Sequence, residues 1–379
     1  MVSSRLVFLS FIPLLVSAGS FEDFKNNQDN DYKQANVQFI DFQAKEDQAF
    51  KTHLKKEKEK ILAYKKKVKA FWPQSDLEEA KKLTSYSKDL HTKKVIDFET
   101  NQIIISQISS SKNIHKDDLV RALNETLTLR TKKAYQDNKL EQDIKRLSKN
   151  SKYIKDSRLD NVSLLQIQKD SAKVNAKDIS MTKKGNVYQI VYNLPKNSTY
   201  KRSYNYLIAA KSNATRFKLK AEVLLAIMHS ESSFNPMARS HIPAFGLMQI
   251  VPRSAGIDSY LFLYKKRRLL SAAYLYNTKQ NIEIGSAYFH ILYYKYLSSI
   301  KNPQSRLYCA IAGYNTGAGN VARAFVYNNN VKKAAKVINT MSPSQVYNHL
   351  QKNLKYDEPK HYLKRVSERS IRYKELYRL

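Results

Sequence analysis

The chain has 379 residues, enough for two domains and a sizeable core. Its 66 lysines and arginines against 33 aspartates and glutamates give a formal charge of +33, which points to an anionic partner such as nucleic acid, a membrane surface or an anionic polymer, unless it reflects a lysine- and asparagine-rich proteome. A single cysteine, Cys309 in the apolar YCAIAGY, excludes an intramolecular disulfide and reads as a buried thiol; no His/Cys/Asp cluster has metal-ligand spacing, and no zinc-finger, aromatic RNA-binding or basic heptad signature supports nucleic acid.

The N-terminus, MVSSRLVFLSFIPLLVSAGS, places Arg5 before an apolar stretch, Leu6–Val16, and then small residues. This is a secretory signal pattern over 1–19, too short for a comfortable membrane span, and Val16-Ser17-Ala18 suits a signal peptidase. Ser20 stands where a lipoprotein would carry its cysteine, so no lipid anchor is expected. The expectation is export to the periplasm, with peripheral attachment at the outer membrane or an uncleaved signal anchor as alternatives.

Residues 51–72, KTHLKKEKEKILAYKKKVKAFW, read as a helix with a basic solvent face and Ile61, Leu62, Val68, Phe71 and Trp72 as apolar contacts. KVIDFETNQIIISQIS (94–109) predicts a hairpin, its β-branched runs flanking Thr100-Asn101. HKDD (115–118) is a helix start, and KDDLVRALNETLTLR continues as an amphipathic helix through Leu119, Leu123 and Leu127. The polar tract 138–182 has little periodicity, and NVYQIVYNL (186–194) is a second strand segment closed by Pro195. The first half, 20–185, is thus a small α+β accessory domain without identifiable chemistry.

From about residue 200 the pattern is helical. In AEVLLAIMHS, Ala221, Leu224, Leu225 and Met228 form the stripe of a core-facing helix; Glu231 continues it and Glu222 lies off it. A carboxyl carried inward on that stripe would have a raised pKa and serve as an acid near neutral pH. The same spacing also fits a glutamate at a helix end bonding to the following turn. NIEIGSAYFHILYYKYLSSI (281–300) repeats apolar or small residues at 282, 285, 289, 292 and 296, and QSRLYCAIAGYN is a buried helix halted by Gly317 and Gly319.

Four short motifs stand in order: ESSFNP (231–236), GLMQIVP (246–252), GYNTGAG (313–319) and EPKHYLKRV (358–366). Together, over residues 200–379, they resemble the lytic transglycosylase family with the goose-lysozyme-like fold. The preceding hairpin-and-helix region is similar, more loosely, to the N-terminal domain of the membrane-bound lytic transglycosylase C group. The resemblance implies an α+β chain: a mainly α-helical, lysozyme-like catalytic domain over 186–379 behind the α+β domain. It implies cleavage of the β-1,4 bond between N-acetylmuramic acid and N-acetylglucosamine in peptidoglycan, with a 1,6-anhydro product and no cofactor or metal.

Under that resemblance Glu231 is the catalytic acid. Ser240 matches a substrate-contacting serine; Met248 and Gln249 match a cleft-lining apolar wall and amide; Tyr314 and Asn315 match residues holding the sugar; Glu358 and Tyr362 match the last motif, its tyrosine near the catalytic carboxyl. For each, core packing or turn chemistry is the competing explanation. Gly313 replaces a usual alanine, and HIPAF departs from the usual spacing before the second motif, so that Pro243 and Phe245 would alter a lip of the cleft. Glycan strands of peptidoglycan are the expected partner, an anionic wall or membrane surface a second one, nucleic acid is not expected, and the protein is expected to be a monomer. A lysozyme-type hydrolase and a non-catalytic wall-binding protein are the rival functions.

Overall fold

The computed structural model describes residues 45, 47–49, 51–73, 77, 79–109, 114–148, 154–167, 173–240 and 243–379. The signal sequence expected over 1–19 lies outside them, as do His241 and Ile242 of the HIPAF segment. The chain divides into two compact units, Met1–Leu54 and Lys55–Leu379. The described residues of the first are helical.

The second unit begins with a helix through residues 55–69, α1, and continues into a five-stranded antiparallel sheet. Strands β1 (Lys82–Tyr86), β2 (Thr92–Asp97) and β3 (Gln102–Ile108) form a meander; β5 (Met181–Lys184) and β6 (Val187–Asn193) complete the order β1-β2-β3-β6-β5. The hairpin expected at Thr100-Asn101 is present. Asn101 takes a left-handed φ of 57°, and the Asp97 carboxylate accepts from the Glu99 and Thr100 amides at 3.0 and 2.9 Å, the turn chemistry that fixes the β2–β3 register. Along β3, Ile103 and Ile105 face the main core with Leu119, Leu123 and Leu127 of α2 (Lys116–Leu127). Ile108 points the other way, where it meets Val68 and Trp72 in a small second core. Leu62 and Phe71, expected as contacts of α1, are largely exposed.

Two expectations need correction here. A domain boundary at 185/186 falls in the turn of the β5–β6 hairpin, whereas β6 hydrogen-bonds along its whole length to β3. The sheet therefore ends at Asn193, and the helical part starts with α5 (Ser198–Phe217). The tract 138–182, read as lacking periodicity, contains α4 (Lys139–Ser148) after the short α3 (Thr131–Asp137). Its inward face is Leu140, Glu141 and Ile144. One inward position is a carboxylate, which is why apolar spacing alone hides the helix. Glu141 accepts from Arg239 at 2.5 Å and from the Tyr276 hydroxyl at 2.9 Å, and Arg239 also pairs with Glu57 of α1 at 2.6 Å.

A two-residue strand, β4 (Ile154–Lys155), pairs in parallel with β7 (Leu269–Leu270). The helices are α6 (Ala221–Ser232), α7 (Ile257–Tyr264), α8 (Ala272–Tyr276), α9 (Thr278–Ile291), α10 (Pro303–Thr316), α11 (Ala318–Val326), α12 (Val331–Ile338), α13 (Pro343–Asn353) and α14 (Asp357–Tyr377). The protein is α+β and mainly helical. A π-helical turn, Leu292–Tyr296, follows α9 and breaks its angular step, so Tyr296 leaves the expected stripe and is exposed while 282, 285, 289 and 292 stay buried. Gly317, at φ 85°, ends α10; Gly319 lies inside α11. Among the described residues no helix is long and apolar enough to cross a membrane.

Sheet and helices are tied by one buried cation. Arg202 of α5 donates to Phe98 O at 2.7 Å, to Asn101 Oδ1 at 3.0 Å and to Ser233 O at 3.3 Å, and its guanidinium lies 5.3 Å from the Phe98 ring. Burial pulls its pKa down to about 10, still cationic at neutral pH. Removing the donor strands the Phe98 and Ser233 carbonyls, a loss on the order of 2–4 kcal/mol. Arg202→Ala is accordingly expected to lower the denaturation midpoint sharply. Arg202→Lys recovers little of it, because an ammonium cannot reproduce the planar fork; both are read by urea unfolding.

Candidate active site

Helix α6 is buried on almost every face: Ala221, Val223, Leu224, Leu225, Ala226, Ile227 and Met228 all lie in the core, and Glu222 is half-buried. It packs between α5 and α14. Glu231 sits in its last turn. Ser233 and Phe234 then take left-handed φ values of 50° and 63°, turning the chain sharply away. Phe234 locks that turn by stacking on Tyr206 at 6.1 Å and meeting Tyr373 edge-on at 6.1 Å, and Asn235 donates to Ala80 O at 3.3 Å beside β1. The turn chemistry belongs to Ser233–Asn235 and does not engage the Glu231 carboxyl.

Dense surroundings push the Glu231 pKa up to about 8. Burial is the main cause. The approach of Tyr362 opposes it, Glu358 adds to it, and Lys81 and Arg365 offset it in part. The residue as a whole is half-buried. The C-terminal end of a helix, where the backbone carbonyls converge, also disfavours a negative charge. The neighbouring His229 cannot share the acid's task. Burial and the charges of Arg369, Lys81, Arg202 and Arg372 depress its pKa to about 2, and its Nδ1 is engaged with the Tyr373 hydroxyl at 3.0 Å.

The segment 245–250 is a tight turn closed by Phe245 N to Ile250 O and Ile250 N to Phe245 O at 3.1 and 3.0 Å. Ser232, next to the acid, donates to Leu247 O at 2.8 Å and so joins α6 to this turn. Asn281 of α9 clamps it from behind: its amide donates to Phe245 O and Leu275 O, and its oxygen accepts from Met248 N, all at 2.8 Å. Gly246 is required there. Its φ is 74°, and a Cβ would overlap the Leu275 carbonyl and the Asn281 amide. Gly285 is required for a different reason, since a Cβ on it would run into the Met248 side chain, 2.8 Å from Met248 Cβ.

Tyr314 of α10 donates to Met248 O at 2.8 Å, with its ring edge-on to Tyr288 at 5.5 Å. Tyr362 of α14 is 1% exposed, and its hydroxyl makes no hydrogen bond of ordinary geometry among the described residues. Glu231 is the acceptor it faces, close enough for each group to shift the other's pKa. Both phenols are held well above the usual range by burial first and by Glu231 second, so they act as neutral hydroxyls.

The expected residues thus fall into three groups. Glu231, Tyr314 and Tyr362 share one electrostatic environment. Gln249 is half-buried on the 245–250 turn at φ 47°, with Nε2 bonded to Gly246 O at 3.1 Å, and Asn315 is half-buried beside Tyr314. Glu358 is 60% exposed, 3.4 Å from Arg365, and reaches Glu231 only as a nearby charge. Met248 does not line a cleft: its side chain is 0% exposed and packs on Gly285, and its carbonyl is its contribution, as the acceptor for Tyr314. Ser240 accepts from Ala244 N within its own loop and, with Pro243, lines a recess that does not include Glu231. Phe245 is not a lip residue; it is buried, edge-on to Tyr276 at 5.7 Å and under the Arg239 guanidinium at 5.3 Å. Sequence reasoning missed Asn281, Arg202 and Asn235. A lone asparagine amid apolar helix positions at 281–285 was the available signal for the first.

Two outcomes test this geometry. Gly246→Ala forces a left-handed alanine against backbone and is expected to cost roughly 2 kcal/mol or more in urea unfolding. The raised pKa of Glu231 has a defined sign. Below the unfolded carboxyl's pKa both states are protonated and the group costs nothing; between that value and about 8 only the unfolded state ionises, and stability falls as pH rises. Glu231→Gln is therefore expected to match the wild type near pH 4 and to be the more stable of the two above pH 8, read as unfolding midpoints across that series.

Residues 208–337 match the family model described as the transglycosylase SLT domain. The chain is 41% identical over 181 residues to the membrane-bound lytic murein transglycosylase C of Klebsiella pneumoniae subsp. pneumoniae, covering 48% of this chain and 49% of that one. It is 38% identical over 188 residues to the protein of that name from Pectobacterium atrosepticum, covering 50% and 52%. The chain spans about half the length of the curated relatives it matches. The crystal structure of the 70 kDa soluble lytic transglycosylase from Escherichia coli is similar at 21% identity and a TM-score of 0.36, covering 48% of this chain and 26% of that one. Residues 208–337, which carry Glu231 and the 245–250 turn, are thus similar to the transglycosylase SLT domain, in a chain about half of which is similar in sequence to the membrane-bound lytic murein transglycosylases C.

Proposed function

We propose that the protein is a peptidoglycan lytic transglycosylase with Glu231 as its catalytic acid. The observation that supports this reading best is a desolvated carboxylic acid, its pKa raised to about 8, with two neutral tyrosines about it and no second buried carboxylate among the causes of its shift. A glycosidase that uses water or an enzyme nucleophile needs a second carboxyl roughly 5–9.5 Å away. Glu358 is a poor candidate, being exposed and paired with Arg365. A transglycosylase needs only one, because the substrate supplies the nucleophile.

Glu231 donates its proton to the glycosidic oxygen as the bond to C1 breaks. The carboxylate left behind takes the proton of the C6 hydroxyl as that oxygen attacks C1 and closes the 1,6-anhydro ring, and the acid is regenerated. A resting pKa near 8 favours the first step; the new charge in poorly solvated surroundings favours the second. The Tyr362 hydroxyl, with no other partner of ordinary geometry, stabilises the carboxylate between the two. Gln249 and Asn315 offer amides to sugar hydroxyl or acetamido groups. The α+β segment braces the site through Arg202 and the Asn235–Ala80 bond. An exported, envelope-associated enzyme fits its similarity to relatives named as membrane-bound lytic murein transglycosylases.

Glu231→Gln keeps the volume and removes the proton, so turnover on purified murein is expected to fall by about 10²–10⁴-fold or more while the fold persists. Mass spectrometry of the wild-type products is expected to give 1,6-anhydro ends. Hydrolysed reducing ends would show a lysozyme-type enzyme instead, and undiminished turnover by the variant would remove Glu231 from the mechanism.

A further inference from the structure

A recess of about 1590 Å³ does not include Glu231 among its lining residues. Its walls come from α1 at Ile61, Tyr64 and Lys65, from β1 and the turn after it, from α2, α3 and α4, and from the loop at Arg239–Ser240 and Pro243. The apolar floor includes Leu83, Leu129 and Leu140. The charge on the walls is one-sided. The lining carboxylates are each already matched: Glu125 with Lys94 at 2.9 Å, Asp137 with Lys133 at 2.8 Å, and Asp143 with Arg146 at 3.1 Å. Arg239 is held by Glu57 and Glu141. Lys65, Lys88, Arg130, Lys132 and Lys139 remain, and none of them has a carboxylate partner among the described residues; Arg130 donates to the Asn161 carbonyl.

We propose that this recess binds an acidic peptide, and specifically the carboxylate-bearing peptide stems of the peptidoglycan strand. The inference rests on the transglycosylase reading of the Glu231 site for the identity of the peptide. Three observations carry it. The four lysines complement carboxylates spaced along a chain, whereas neutral sugars have no need of them. A concave groove with an apolar floor fits a short peptide with small apolar side chains better than the flat face of a bilayer does. Finally, the recess ends at Ser240 and Pro243, on the stretch of chain that leads from Glu231 to the 245–250 turn. Ser240, nine residues after Glu231 in the chain, would then stand beside the peptide instead of the sugar.

The test uses the full chain and a variant with Lys65, Lys88, Lys132 and Lys139 each replaced by Gln. A dye-labelled, sugar-free stem peptide is titrated by fluorescence polarisation in parallel with the same peptide amidated at its carboxyls. The wild type is expected to bind the acidic form about tenfold tighter than the amidated form, with affinity falling as salt rises, and the variant to lose that difference. Turnover is then compared on peptide-bearing glycan and on glycan stripped of peptide; the ratio of the two is expected to fall in the variant. Equal binding of both peptides, or a variant that binds like the wild type, would overturn the proposal. So would a loss of binding in the variant that appears on anionic lipid vesicles and not on the peptide. If the wild type cleaves neither glycan, the transglycosylase reading fails, and the peptide titration still decides the recess.

Discussion

Desolvation of one carboxyl group organises this molecule. Glu231 could be buried harmlessly if a cation met it directly, but then it would be ionised and useless as an acid. Lys81 and Arg365 are instead far enough away to reduce its raised pKa without cancelling it, and Lys81 is itself engaged with Glu99. The chain carries 66 lysines and arginines, yet the groups around Glu231 are chiefly helix α6 and two phenols. Elsewhere the buried carboxylates are given a cation outright, as Glu57 and Glu141 are by Arg239. The contrast between these sites separates a carboxylate used for structure from a carboxylic acid available for chemistry.

Holding the acid in such surroundings requires rigid neighbours, because surroundings that relaxed would admit water and lower the pKa. The rigidity comes from polar groups that are themselves buried. Asn281 satisfies three backbone groups of the 245–250 turn and its flank, and Arg202 satisfies carbonyls on the β2–β3 turn and on the loop after Glu231. Glycines at 246 and 285 provide the close approaches that these bonds need. The sheet is therefore part of the support for the acid, through Phe98, Asn101 and Ala80, and the helical half depends on it at the loop that follows α6.

Much of this was legible in the sequence wherever residue type and spacing agree. The β2–β3 hairpin, α2 and the apolar core face of α6 follow from period and turn chemistry, because their buried faces are apolar and the hairpin turn uses local side-chain bonds, whereas period left Glu231 open between an inward acid and a helix-end glutamate. Where a buried position is polar the pattern fails. Helix α4 was hidden by Glu141, whose partner Arg239 is distant in sequence, and Asn281 and Arg202 were invisible because their roles are bonds to remote backbone. Met248 failed in the opposite sense: an apolar residue in a motif reads equally as cleft wall or as core, and only the absence of a Cβ on Gly285, a neighbour in space, decides for core. The sheet's full extent was unreadable for the same reason, since β6 joins β3 across a long sequence gap.

The central claim is that the Glu231 carboxyl remains protonated at neutral pH because of where the fold puts it. A ¹³C NMR titration of glutamate side-chain carboxyls measures this most directly, with the Glu231 resonance assigned by its loss in Glu231→Gln. The account expects that resonance to titrate near pH 8, and to move downward when Lys81 or Arg365 is given freer access by removing Glu99 or Glu358. Titration in the ordinary carboxylate range, with Glu231 ionised throughout neutral pH, would contradict it.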